Sequence, residues 1–222
     1  MLKLDIQRFE EMGYNEGLIH NLINSEQSAY DDIMTALGDK MTSMVGEIAG
    51  LWYAGNAVTF FNQYLKPVVD DTANVTTQQF ENIINTVNSA GDGWARTTEN
   101  SYGAVSFNAS GKQVDVSSIK SVDGNGSSYM TKGTTSETFN TRLNEITQSV
   151  SSALETAKSA ASNSGFLSSE NEGTLEQSLA TIASKFEDMM NNIRTEFNRA
   201  MDTKEGAYKA TETSVTESMT LG

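Results

Sequence analysis

The feature that most constrains this chain is an apolar residue recurring every three or four positions, sustained over many turns in four segments. In the first, Tyr30, Ile33, Leu37, Met41, Met44 and Ile48 fall on one face of a helix. The second begins near Trp52 and continues through Phe61, Leu65, Val68, Val75, Ile83, Val87 and Trp94. The third runs Phe139, Leu143, Ile146, Val150, Leu154, Ala157 and Ala161. The fourth runs Leu175, Leu179, Ile182, Phe186, Met189, Ile193, Phe197, Met201 and Tyr208. A helix with one apolar stripe buries it against other helices, and alternating threes and fours mark packing of the coiled-coil kind. Thr134 with Glu137, and Thr174 with Gln177, have the spacing of capping boxes for the third and fourth helices.

The four segments are two copies of one plan. An offset of 113 carries Tyr30, Ile33, Leu37, Met41, Met44 and Ile48 onto Leu143, Ile146, Val150, Leu154, Ala157 and Ala161. An offset of 114 carries Trp52, Leu65, Val68, Val75 and Trp94 onto Phe166, Leu179, Ile182, Met189 and Tyr208. One hairpin cannot cover its own stripe, but two can. The expected fold is therefore all-α, an antiparallel four-helix bundle built from two tandem helical hairpins. Its expected parts are an N-terminal arm at 1–25, a first hairpin at 26–100, a Gly/Ser-rich insert at 101–135 and a second hairpin at 136–222. In the insert, Val105/Phe107 and Val114/Val116 alternate, which predicts a short β-hairpin. Pro67, the only proline, lacks a backbone donor and predicts a kink or break near Gln63 to Lys66.

Composition narrows the function. Net charge is −14, from 29 acidic against 15 basic residues, a surface that repels nucleic acid and anionic membrane. There is no cysteine, and His20 is the only histidine, so neither a His-based triad nor a multi-His metal site can be built within one chain. Asp123, Asn125 and Ser127 have the flavour of a calcium loop, but Ser128 stands where its glycine belongs and Thr134 where its glutamate belongs. That segment reads as an ordinary Asp/Asn/Gly turn. Glu10/Glu11, Asp31/Asp32 and Glu187/Asp188 read as solvated helix faces. No catalytic residue, cofactor or metal is expected, and the partners of such a chain are proteins. No apolar run approaches the roughly 20 residues of a membrane span. The opening lacks an h-region and a cleavage site, so export would use a route other than a cleaved signal peptide.

Two motifs remain. In "LWYAGNAVTFFNQYL", Trp52 begins the tip of the first hairpin, and Ala54 and Gly55 are small enough to let the next helix start close against the last. This reads either as a plain bundle cap, with Gly55 relieving crowding, or as a recognition element. In "YKATETSVTESM", Tyr208, Glu212, Val215 and Met219 follow spacings of four, three and four, which puts all four on one helical stripe. An acid in an apolar stripe either stays exposed beyond the bundle or meets a partner surface. The plainer reading is an amphipathic, frayed C-terminal helix.

Helix, Trp tip with small residues, helix, and then Tyr-x-x-x-Glu resemble the WXG family of small helical hairpins exported by Gram-positive type VII secretion. Ala54 stands where that family has Gly, and Gly55 follows one place later. The resemblance implies that hairpins pair antiparallel and that the Trp tip of one lies near the tail motif of the other, forming a bipartite export signal. Here the first copy keeps the tip but reads "WARTTEN" at the tail position, while the second keeps the tail but reads "SGFLSS" at its tip. The chain thus resembles a fused heterodimer with one composite signal, Trp52, Ala54 and Gly55 with Tyr208, Glu212, Val215 and Met219. The expected function is a non-catalytic type VII secretion substrate or export partner, secreted or at the cell surface, with the secretion machinery as partner. The opening "MLKLDIQRFE" resembles the leader of virion structural proteins from phages of Gram-positive hosts. That implies the alternative, a virion or tail-associated structural protein whose residues 1–12 add as an edge strand to a neighbouring subunit. Both readings are compatible with oligomers.

Overall fold

The computed structural model describes residues 15–220, with side chains through Thr211 and at Thr213. The leader at 1–12 with Glu10 and Glu11, and the side chains of Glu212, Val215 and Met219, lie outside the described residues. The fold is all-α, with four helical arms and one small sheet among the described residues. Arm 1 comprises α1 (Glu16–Thr35), a π-helical turn (Ala36–Lys40) and α2 (Met41–Ala49). After β1 (Trp52–Tyr53), arm 2 comprises α3 (Gly55–Thr59), a second π-helical turn (Phe60–Leu65) and α4 (Lys66–Thr97). A long connection ending in β2 (Tyr129–Met130) leads to arm 3, α5 (Lys132–Ser162), and arm 4 is α6 (Ser169–Thr220). No helix of the described residues is long and apolar enough to cross a membrane.

Local chemistry sets several boundaries away from their expected places. Asn15 caps α1 by accepting from the Leu18 N–H, so the helix starts at Glu16 rather than at 26. Ile19, Leu22 and Ile23 extend the apolar stripe into that stretch and are buried. The two expected capping boxes fall inside helices. Arm 3 has already begun at Lys132, and arm 4 is capped by Ser168, whose Oγ accepts from the Asn171 N–H at 3.2 Å. Thr174 instead donates its hydroxyl to the Glu170 carbonyl one turn back.

Pro67 does not break arm 2. Ala57, Phe61, Leu65, Val69 and Ala73 are buried at steps of four, which on an α-helix rotates the stripe by about 40° per step. The wider π turn over Phe60–Leu65 takes up that drift, with the Lys66 N–H bonded to Phe61 O, five residues back. Pro67 follows just after that turn, so its missing donor falls at the junction between π and α bonding. The buried stripe consequently runs through Val69, Thr72 and Thr76, leaving Val68 and Val75 only half-buried. The expected β-hairpin in the insert is absent. Val105, Phe107, Val114 and Val116 form no strands, and the one strand pair joins β2 to the tip, antiparallel, with Trp52 opposite Met130 and Tyr53 opposite Tyr129.

Contacts divide the chain into two units. Unit 1 holds the described residues up to Ala36, Ala73–Lys112 and Thr147–Lys185, and unit 2 holds Leu37–Thr72, Gln113–Ile146 and the chain from Phe186. Each unit takes a segment of every arm. In unit 1, α1 and α4 run antiparallel. Tyr30 meets Thr77 (3.1 Å) and the Phe80 ring (5.6 Å), while a Cβ on Gly91 would lie 3.2 Å from Ile19. In unit 2, arms 3 and 4 run antiparallel, pairing Lys132 with Glu205 and Asn144 with Arg194.

Unit 1 also buries one acid. Glu26 is fully buried, and neither carboxylate oxygen has a hydrogen-bond partner. Desolvation pushes its pKa up to about 8, so it is mostly protonated at neutral pH. Between the ordinary carboxyl value of 4.5 and about 8 the folded chain holds a proton that the unfolded chain has released. Stability therefore falls as pH rises across that window and levels off above it. A Glu26→Gln variant should lose this slope, gaining on the parent by about 1.4 kcal/mol per pH unit across the window. Scanning calorimetry from about pH 5 to about pH 9 checks it, and parallel stability curves would overturn the assignment.

Candidate interaction site at the tip

The tip is built on a buried ring. Trp52 is fully buried in unit 2, with its indole 6.2 Å from Phe60, 6.2 Å from Phe61 and 6.0 Å from Phe197, the last edge-on. Phe139 stacks flat on Phe197, so the tip, arm 2, arm 3 and arm 4 share one aromatic cluster. The Trp52 N–H has no partner, which marks this indole as a packing element. Ala54, also fully buried, holds an extended backbone and starts α3 through its carbonyl, which accepts from Ala57 and Val58. Gly55 is exposed and a Cβ there would touch nothing, so the crowding it was expected to relieve does not exist. Of the two small residues, only Ala54 is buried.

The exposed part of the tip is assembled by residues that periodicity does not single out. The Thr131 N–H donates to Leu51 O (2.9 Å), closing the strand pair, and the Tyr53 and Tyr129 rings meet at 5.1 Å. Ser128 is the junction. Its hydroxyl donates to Tyr53 O at 2.8 Å, and its carbonyl accepts from the Tyr208 hydroxyl at 3.1 Å. Lys204 donates to the Ser128 hydroxyl at 3.3 Å and lies 4.5 Å over the Tyr208 ring, a cation–π contact. One turn away, Lys132 and Lys209 both pair with Glu205. The charge-assisted bonds from Lys132 and then Lys209 hold the Glu205 carboxyl down at about 2. Tyr208 and Tyr129 are about two-fifths exposed, and they form the aromatic part of this surface.

The structure thus joins Tyr208 of the tail to the strand that carries Trp52, through Ser128. The backbone of α6 continues through Glu212, Val215 and Met219 to Thr220. A related contact occurs in unit 1, where the Trp94 N–H donates to Phe166 O at 2.8 Å. Trp94 and Phe166 are the positions that the offset of 114 relates to Tyr208 and Trp52, so the end of each hairpin reaches the tip region of the other copy. Asp123 accepts from the Asn125 and Ser127 N–H groups, both at 2.8 Å, which is the geometry of an Asx turn. Asp31, Asp32, Glu187 and Asp188 are exposed.

Sequence reasoning missed Ser128, Tyr129 and Lys204. The only signal for them was the "SSYM" that closes the Gly-rich stretch, because the partners lie 75 to 80 residues away along the chain. Trp52→Ala should cost about 3–5 kcal/mol of stability, as truncation of a buried aromatic does. Tyr208→Ala should stay within about 1 kcal/mol. Urea denaturation separates the two, and a small loss at Trp52 would show that the cluster repacks around it. No family model, curated protein or solved structure matches this chain.

Proposed function

We propose that this chain is a non-catalytic helical protein recognised by other proteins through the composite surface of tip and tail, as a type VII secretion substrate or export partner. The observation that carries the reading is the Tyr208 hydroxyl bonded to Ser128, which in turn holds the Tyr53 carbonyl. A helical tail and a hairpin tip separated by more than a hundred positions in the chain are thereby fixed as one surface. Trp52 then serves as the buried foundation of that surface, and Ala54 as its close-packed hinge into α3. The residues a machine would touch are Tyr53, Tyr129 and Tyr208, and the α6 turns carrying Glu212, Val215 and Met219. Rigid aromatic side chains of this kind supply contact area at low entropic cost.

The test is secretion from a native producer, followed by density-gradient separation of the supernatant and mass spectrometry of each fraction. Tyr208→Ala and Glu212→Ala should abolish recovery in the slow soluble fraction while Tm changes by no more than a few degrees. Deleting the type VII ATPase should have the same effect. Export that survives both substitutions, or that ignores the ATPase, would overturn the reading. Recovery only with particles that also contain capsid protein would make the chain a virion component instead.

A further inference from the structure

The connection from α4 to arm 3 is long for a loop whose one regular element is the two-residue β2, and such loops are seldom passive. Its first part, in unit 1, lies against α1 and α4 with an unusual kind of bonding. An extended segment ordinarily satisfies its backbone in a ladder with another strand. Here three residues have both their N–H and their C=O taken by side chains, and a fourth has its N–H taken. The Gly103 N–H donates to Glu16 (2.8 Å) and its carbonyl accepts from His20 (2.8 Å). The Val105 N–H donates to Asn88 Oδ1 (3.0 Å), and its carbonyl accepts from Asn88 Nδ2 (2.8 Å). Asn108 is held the same way by Gln27, at 3.0 Å in both directions. The Ser110 N–H donates to the Tyr30 hydroxyl at 2.8 Å, and the same hydroxyl lies 3.4 Å from Ser110 O.

Side-chain amides that clamp both polar groups of one residue read main chain and ignore what the residue carries. Side-chain recognition rests on Phe107 and Tyr102, whose hydroxyl also donates to Asn88 Oδ1 at 2.7 Å. Phe107 packs edge-on against Tyr30 at 4.8 Å, and Tyr102 fills the space that Gly91 leaves open, where a Cβ would come within 2.8 Å of its ring. Ala104, Ser106, Asn108 and Ala109 are exposed, and Val105 and Phe107 are only half-buried. The segment therefore rests on hydrogen bonds that are exposed at Gly103 and Asn108 and part-buried at Val105 and Ser110, each of small net worth, with little buried apolar area. Such a segment opens more easily than the helices beneath it.

We propose that the groove between α1 and α4 is a peptide-binding site that reads main chain, with residues 102–110 as its resident ligand. A partner protein would replace them with an extended, uncharged segment carrying an aromatic residue between two clamped positions. In the intact chain the resident segment competes at the high effective concentration of a tethered ligand, so the site is masked until it opens.

The probe is a fluorescein-labelled synthetic peptide of residues 101–112, titrated by anisotropy against the full chain. Val105→Pro with Asn108→Pro in the protein removes two clamped N–H groups from the resident segment and leaves the groove intact. The peptide should bind this variant about tenfold or more tighter than the parent, and adding Asn88→Ala and Gln27→Ala should reverse the gain. A peptide with proline at 105 and 108 should not bind, whereas exchanging Ser106 and Ala109 for one another should change little. A folded proline variant that shows no binding at about 1 mM peptide, or binding indifferent to Asn88 and Gln27, would overturn the proposal. Hydrogen exchange on the unmodified chain tests it even if the proline variant does not fold. The Val105, Asn108 and Ser110 amides should exchange through an opening well short of that required by Ile33 and Ile83. Exchange of all five only with global unfolding would make the segment a fixed part of the fold.

Discussion

Unit 2 hangs on one indole. Trp52 lies within ring contact of Phe60 and Phe61 from arm 2 and of Phe197 from arm 4, and Phe197 stacks on Phe139 from arm 3. Removing that ring would leave a void bordered by rings from arms 2 and 4. Its position also fixes the short strand Trp52–Tyr53, whose flanking carbonyls at Leu51 and Tyr53 receive the Thr131 amide and the Ser128 hydroxyl. The aromatic surface of exposed Tyr129 and Tyr208 and half-buried Tyr53 therefore depends on a residue that is itself fully buried. Burial and exposure separate along this line: Trp52 is fully buried, while Tyr129 and Tyr208 are about two-fifths exposed.

A related constraint acts along arms 1 and 2. Stripes that step by four drift around an α-helix, and π turns at Ala36–Lys40 and Phe60–Leu65 return them toward the core. Past the second turn the face toward the core includes Thr72 and Thr76. The Thr72 hydroxyl is satisfied by the Val68 carbonyl one turn back. Glu26 is the exception to this pattern, a buried acid with no partner, tolerated because the proton it retains at neutral pH spares it a buried charge. Its presence gives unit 1 a stability that declines from acid toward neutral pH, opposite to the effect of salt-bridged carboxylates such as Glu205.

The connection between the hairpins answers a problem of topology. α4 ends at Thr97 in unit 1 and α5 begins at Lys132 in unit 2, so the intervening chain must pass from one unit to the other. It does so without a partner strand until β2. The backbone groups of Gly103, Val105, Asn108 and Ser110 are instead taken by polar side chains on α1 and α4. In unit 2 the same device continues, with Thr42 accepting from the Asp115 N–H and Lys66 donating to Val114 O. Val114, Val116 and Ile119 are buried there, which is the physical content of the apolar alternation first read as a hairpin.

The chain's own pattern determined the all-α class, the four arms and most of the core. Tyr30, Ile33 and Leu37, and their counterparts Leu143, Ile146 and Val150, are all buried as their spacing requires, because helical period and burial are properties of neighbours in sequence, whereas Leu154, the counterpart of buried Met41, is only half-buried. It also placed Trp52 at a tip and Tyr208 near the end of a long helix. What it could not determine were features whose partners are distant: the shifted stripe behind Pro67, the pairing of β1 with β2, and Ser128 as the link from Tyr53 to Tyr208. Those depend on where the insert lies once the helices have packed, and on side-chain bonds spanning 75 residues or more. Local periodicity has no access to them, since a serine in a Gly-rich loop looks the same whether or not a tyrosine from arm 4 ends beside it. Tertiary packing alone made that decision, by bringing the strand pair and α6 within hydrogen-bonding distance.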